Sequence, residues 1–228
     1  MTETNATVEP KARRPIAARD TRWAARAAVR LANAGVTPNQ ISVASVNFSL
    51  IGGVAMLATR WTGPRGDAAL FVLAILGIQC RLLCNLFDGM VAIERGTASK
   101  VGELFNEVPD RVSDTAALIG LGYAAGGDVL LGYGAALAAM MTAYVRAVGK
   151  GAGAPNDFCG PMAKQQRMFL VTMVSIFCAA TPAAWQRIGL GCCSLGVPAA
   201  VLIVILAGSL VTVVRRLCRI GSKLRGTG

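Results

Sequence analysis

Between residues 85 and 114 the chain reads NLFDGMVAIERGTASKVGELFNEVPDRVSD, with acids and amides recurring at helical spacing inside otherwise apolar sequence. Asn85, Asp88, Gly89 and Ala92 stand at i, i+3, i+4 and i+7, so a helix carries them on one face. Gly102, Asn106, Asp110 and Asp114 recur every fourth residue and share a face of the next helix. Two such faces joined by a short polar loop can point at each other. Converging carboxylate and amide oxygens suit a hard cation and the diphosphate it neutralises. Composition closes off other chemistries. There is no histidine, which removes Ser-His-Asp and Cys-His nucleophiles and any imidazole metal site. The seven cysteines are odd in number and form no Cys-x-x-Cys. Cys80, Cys84, Cys178, Cys192 and Cys193, in or near apolar runs, read as packing residues.

The elements that must position this stretch are membrane helices. The chain has 228 residues, 54% of them hydrophobic, and a mean hydropathy of +0.53, too apolar for an ordinary soluble domain. Six apolar spans are expected at roughly 41–59, 68–92, 103–125, 128–148, 167–185 and 190–214, each about long enough for a hydrocarbon core of ~30 Å. The fold class expected is therefore an all-α membrane protein of six transmembrane helices preceded by an interfacial amphipathic helix. Residues 1–13 read as a disordered N-terminus. Residues 14–35 read as the interfacial helix, with Arg19, Arg22, Arg26 and Arg30 on one face. Residues 36–216 form the six-span domain and 217–228 a basic cytosolic tail. The first 35 residues hold no apolar core of a signal peptide, so the first span is expected to direct insertion. In VTPNQIS, Thr37 or Asn39 is placed to cap the helix beginning near Gln40.

Charge placement tests this plan. Net charge is +11 although only 15% of residues are charged. With both termini cytosolic, 18 basic residues fall on the cytosolic side and only Arg60, Arg65 and Arg187 outside. Trp61 and Trp185 fall at outer span ends. The 85–114 stretch then lies at the cytosolic ends of spans two and three. Ionisable groups inside spans are costly and mark function; here they are Arg81, Asp88, Glu103, Glu107, Asp110, Arg111 and Asp114. The competing reading is an internal ion-pair network that holds the bundle together.

On these residues the chain resembles the CDP-alcohol phosphotransferase family, whose signature is D-x-x-D-G-x-x-A-R, eight residues, then G-x-x-x-D-x-x-x-D. Asp88, Gly89, Ala92, Gly102 and Asp110 match at the right spacing. RDTRW and VTPNQIS before span one and GPMAKQQR before span five extend the likeness over most of the chain. Three positions depart from it: Asn85 and Asn106 replace the first and third acids, and Ile93 replaces the arginine. In the family the four acids hold two divalent metals and the arginine contacts the diphosphate. Asparagine keeps a carbonyl ligand but loses the charge, which weakens metal affinity. Glu103, Glu107, Asp110 and Asp114 form a second stripe on span three, rotated by roughly 50° at 3.6 residues per turn. Pro109 within it is expected to kink the helix. The metal ligands implied are Asn85, Asp88, Asn106, Asp110 and Asp114, with Arg81 or Arg95 doing the missing arginine's work.

The resemblance implies a multi-pass transferase of the bacterial-type cytoplasmic (inner) membrane, with Mg²⁺ or Mn²⁺ as cofactor. It would move a substituted phosphate from a CDP-alcohol, CDP-diacylglycerol above all, to a hydroxyl or phosphorylated-alcohol acceptor and release CMP. Asp110 is the general base by its place in the motif. Arg81, Gly89, Ala92, Arg95 and Gly102 contact the CDP moiety, the small residues leaving room for cytosine and ribose. Arg146, Lys164 and Arg167 flank the cytosolic loop before span five and are read either as acceptor contacts or as topological charge. Glycerol 3-phosphate and an inositol phosphate both suit such a pocket. Membrane lipids and a homodimer partner are implied; nucleic acid is not. One alternative is an inactive family member that binds lipid or regulates a partner. A transporter is disfavoured, because no inverted repeat is evident and the acids gather at one membrane face.

Overall fold

The computed structural model describes residues 21–96, 100–190 and 193–226, with the backbone alone at 100–103, 105, 106, 190 and 193. Among the described residues there are seven α-helices: α1 (Arg22–Asn33), α2 (Pro38–Ala58), α3 (Pro64–Glu94), α4 (Lys100–Tyr123), α5 (Val129–Gly151), α6 (Lys164–Ala180) and α7 (Val197–Arg225). Helices α2 to α7 cover the six expected intervals. Of these α2, α3, α5 and α7 are long and apolar enough to cross a membrane.

Local chemistry explains the boundaries. Thr37 closes a capping box on α2: the Gln40 amide donates to Thr37 Oγ1 at 3.2 Å and the Thr37 amide to Gln40 Oε1 at 2.9 Å. Pro38, Pro64 and Pro198 open α2, α3 and α7 at positions where a missing N–H costs nothing. The expected sixth interval, 190–214, begins instead in a hairpin. Strands β1 (Arg187–Leu190) and β2 (Cys193–Gly196) pair antiparallel after a 3-10 turn at Ala183–Gln186. A short apolar run does not distinguish a strand from a buried helix. The expected tail boundary at 216/217 falls inside α7. That helix runs on to Arg225 because Ile220, with Leu224, packs on Val145 and Ala154. Helix α4 passes through Pro109 as one helix.

The bundle has an apolar core around Met56, Phe71, Ile78, Leu118, Met168 and Leu202, with polar groups set into it and apolar side chains left on the outside. Ser42, Ser45, Ser49, Thr142, Ser175, Ser209 and Thr212 are buried, while Val43, Leu50, Val54, Leu76, Leu137, Phe169, Val204 and Leu210 are exposed. A membrane protein has no need to hide leucine from its solvent, so packing must come from close backbone approach. A Cβ on Gly120 would lie 2.5 Å from the Gly53 carbonyl oxygen, and one on Gly77 would lie 2.6 Å from that of Phe48. Helix α2 therefore beds against both α3 and α4, which touch each other only slightly. Helix α6 also packs on both, chiefly on α3, so that α3 and α4 are held together largely through α2 and α6. Helix α1 rests on the α2–α3 end through Ala24 and Ala28, with Trp23 edge-on to Phe87 at 6.0 Å. Arg22, Arg26 and Arg30 face outward; Arg19 lies outside the described residues.

Candidate functional site

Helices α2, α3, α4 and α6 supply the walls. Along α3, Arg81, Asn85 and Asp88 follow on successive turns. Along α4, Glu107, Asp110, Arg111 and Asp114 do the same, and the first turn of α6 adds Lys164 and Arg167. Ser42, Ser45 and Ser49, at i, i+3 and i+7, line the underside of α2. Each finds a partner. Ser42 Oγ donates to Asp88 Oδ2 at 3.5 Å, Ser45 Oγ accepts from Asn85 Nδ2 at 2.8 Å, and Ser49 Oγ donates to the Ser113 carbonyl at 2.7 Å. These serines were legible as a helical stripe of hydroxyls in an apolar helix, but nothing in their spacing named a partner.

Asp110 is the meeting point. The Lys164 ammonium donates to Asp110 Oδ1 at 2.5 Å and also to Asn85 Oδ1, so one amine joins α3, α4 and α6. Arg81 Nη2 lies 3.8 Å from Asp110 Oδ1, and Arg111 Nη2 3.7 Å from Asp110 Oδ2. Asn85 and Asp110 are thus brought together, with Asp88 one turn from Asn85 on the α2 side. Gly89 and Ala92 follow on α3, and the Gly89 amide donates to Asp88 Oδ1 at 2.5 Å. Gly102, Glu103 and Asn106 fall on α4, but their side chains lie outside the described residues.

The remaining residues singled out in the sequence have the following partners. Asp114 is 2% exposed and gives one oxygen to Arg81 at 2.5 Å and the other to Arg167 at 2.8 Å. A carboxylate clamped by two guanidiniums is a pillar of the bundle, not an open metal ligand. Arg167, 1% exposed, spends its donors on Asp114, the Met162 carbonyl at 2.9 Å and Thr142 Oγ1 at 3.4 Å. These bonds tie α6 to α4 and to the segment before α6, and leave Arg167 Nε without a hydrogen-bond partner among the described residues. Arg146 grips Glu107 through 2.6 and 2.7 Å bonds and lies over Phe158, 5.2 Å from the ring centroid. Arg95 is exposed and donates to the Val36 carbonyl at 2.9 Å, away from the cluster; Arg81 is the arginine inside it.

The cluster's charge favours an anion. Among the described side chains, the cations Arg81, Arg111, Arg146, Lys164 and Arg167 pair with Glu107, Asp110 and Asp114, and Asp88 stands one turn from Asn85 as a fourth acid. Arg81 Nε and Nη1 and Arg167 Nε are buried with no hydrogen-bond partner. Orphaned guanidinium donors are costly and suit a phosphate oxygen. The oxygen donors Asp88, Asp110 and Asn85 are of the kind a hard cation takes. Their number is small: among the described residues no three His, Cys, Asp or Glu side chains are grouped to hold a metal ion.

No family model matches the chain. Among curated proteins it is 22% identical over 152 residues to the inner membrane protein YnbA of Escherichia coli K12, covering 67% of this chain and 72% of that protein. Among solved structures it is similar to the phosphatidylinositol phosphate synthase PgsA1 of Mycobacterium tuberculosis. The structure of that enzyme with CDP-DAG bound aligns with a TM-score of 0.69 over 88% of this chain and 94% of the other. The structure in complex with manganese and citrate aligns with a TM-score of 0.67 over 86% and 88%, and both pairs are 19% identical. What these likenesses establish is the architecture: a helical membrane protein built on the PgsA1 fold.

Proposed function

We propose that the protein transfers a phosphatidyl group from a CDP-alcohol, CDP-diacylglycerol in particular, to a hydroxyl acceptor, releasing CMP. One observation carries this reading. A buried cluster of ion pairs, with arginine donors that lack a hydrogen-bond partner among the described residues, stands between α3 and α4 beside the signature residues Asp88 and Asp110. The fold shared with a structure that holds CDP-DAG supports the same donor.

The acceptor oxygen attacks the phosphatidyl phosphorus, the phosphorus–oxygen bond to CMP breaks, and CMP leaves with the bridging oxygen. Asp110 takes the acceptor's proton, with Lys164 and Arg81 holding its carboxylate in place. The free donors of Arg81 bind the diphosphate and orient it. Asn85 and Asp88, with Asn106, are the residues to hold Mg²⁺ or Mn²⁺, which when bound neutralises the diphosphate and stabilises the leaving CMP. Gly89, Ala92 and Gly102 leave space for the nucleoside. The donor's acyl chains place the reacting phosphate at a membrane surface, and the basic segments put that surface, and both termini, on the cytosolic side. Six spans, α1 lying in the interface and a homodimer complete the reading.

The test is CMP release by the purified protein given CDP-diacylglycerol, Mg²⁺ or Mn²⁺, and a panel of acceptors including glycerol 3-phosphate, inositol phosphates and free alcohols. Release with one of these establishes the class and names the acceptor. Absence of CMP with every acceptor and both metals rejects it in favour of a silent lipid-binding protein.

A further inference from the structure

We propose that the Lys164 ammonium is a resident cation of the site. It takes the place between Asn85 and Asp110 that a second divalent ion would need, so the protein binds at most one divalent ion, on the Asp88 side. The proposal rests on the transferase reading only in taking a divalent ion and a diphosphate as the site's ligands.

Lys164 Nζ is bonded at once to Asn85 Oδ1 on α3 and to Asp110 Oδ1 on α4, the two oxygens an ion bridging those helices would use. It has little freedom to leave. Arg167, one turn further along α6, is pinned to Asp114, Met162 and Thr142 and fixes the helix on which the lysine sits. Charge points the same way. An ammonium against Asp110 and a neutral asparagine makes a balanced pair, whereas a divalent ion there leaves an uncompensated positive charge in a low-dielectric bundle. Asp110 already has guanidinium nitrogens at 3.8 and 3.7 Å. A neutral asparagine at position 85 beside the Lys164 ammonium thus sets a tethered monovalent cation where a dissociable divalent one would sit. A tethered cation needs no binding from solution, and two of its donors already bridge α3 and α4.

The test counts ions without relying on turnover. The full chain in lipid nanodiscs is titrated with Mn²⁺ alone and bound manganese is read by electron paramagnetic resonance. The wild type is expected to take one ion or none. Lys164→Met is expected to take a further ion or to bind Mn²⁺ at least tenfold tighter. Two ions per wild-type chain, or a Lys164→Met variant with unchanged count and affinity, overturns the proposal. If that variant aggregates, Asn85→Asp with Lys164 in place decides. An unchanged count supports the lysine as occupant, and a second ion refutes it. CMP release by the same wild-type preparation separates the two ideas. CMP with two bound Mn²⁺ ions sinks the lysine proposal alone. No CMP with any acceptor sinks the transferase reading and leaves the ion count to stand.

Discussion

Asp114→Asn separates a pillar from a ligand. The native carboxylate sits 2.5 Å from Arg81 and 2.8 Å from Arg167, all three side chains almost wholly enclosed. At an effective dielectric of about 20, each contact is worth about 4 kcal/mol of Coulomb energy before desolvation. Removing the charge leaves two buried guanidiniums facing each other, and breaking a buried pair costs about 3–5 kcal/mol. Asparagine retains one oxygen acceptor, so the lower end applies. For a chain of this size about 3 kcal/mol lowers Tm by about 6–12 °C. The assay is apparent Tm in detergent at a fixed scan rate, read by loss of the monodisperse peak on size-exclusion. A triple replacement, Arg81→Met with Asp114→Leu and Arg167→Met, should recover most of the loss, because well-packed apolar side chains can replace a buried ion cluster. An Asp114→Asn variant with Tm within about 2 °C of wild type that nevertheless loses Mn²⁺ binding would refute the reasoning and return Asp114 to the ligand set.

Asp110→Asn should cut CMP release by about 10²–10⁴-fold, the range for losing a general base, and should also lower Tm, because the same carboxylate is bonded to Lys164 at 2.5 Å; full activity in a folded variant would refute the base assignment. Gly120→Leu should separate α2 from α4, since even a Cβ there meets the Gly53 carbonyl at 2.5 Å; a loss of about 1–3 kcal/mol is expected, read as a lower Tm. Asp157, in the loop between α5 and α6, gives a pH test. Burial alone would raise its carboxyl. Hydrogen bonds from Cys159, with Arg219 at 3.0 Å and Lys223 at 3.7 Å, instead hold it below the usual carboxylate range. That stabilisation is present above about pH 4 and is lost as pH falls through the lowered value. Asp157→Asn should therefore lower Tm at pH 7 by about 2–4 °C, corresponding to about 1 kcal/mol with a partly exposed partner. The gap to wild type should close on acidification; a gap that persists at low pH would show that the charge is not what matters.

Much of this architecture was legible because lipid imposes a simple grammar. Apolar length marked intervals that helices α2 to α7 overlap, and Thr37 was one of two caps offered for a helix that starts at Pro38, two residues before the expected Gln40. What periodicity cannot give is a partner. Asp114 shares a face with Asp110, yet its fate is set by Arg81, 33 residues before it, and Arg167, 53 residues after. The same limit hid Lys164, read as topological charge or acceptor contact, and the Glu107 partner of Arg146. The stretch 217–228 read as a basic tail because charge dominates its composition. Val213, Ile220 and Leu224, at i, i+7 and i+11, carry the apolar face that keeps it helical and packed as far as Arg225. The hairpin at 187–196 was missed because its first strand fell mostly in the loop between two expected spans and its second inside an apolar run whose length suggested a helix.

The serines beneath α2 have a consequence for how the molecule can be altered. Because one narrow rod hydrogen-bonds to Asp88, Asn85 and the Ser113 carbonyl in turn, it works as a ruler that sets the gauge between two rails. Raising its oiliness by exchanging those hydroxyls and the neighbouring glycines for leucine would make it a better lipid-soluble segment on paper. It would also thicken the rod, widen the gauge and unhook both rails together, so the most hydrophobic version of this helix would be the one least able to hold a reaction.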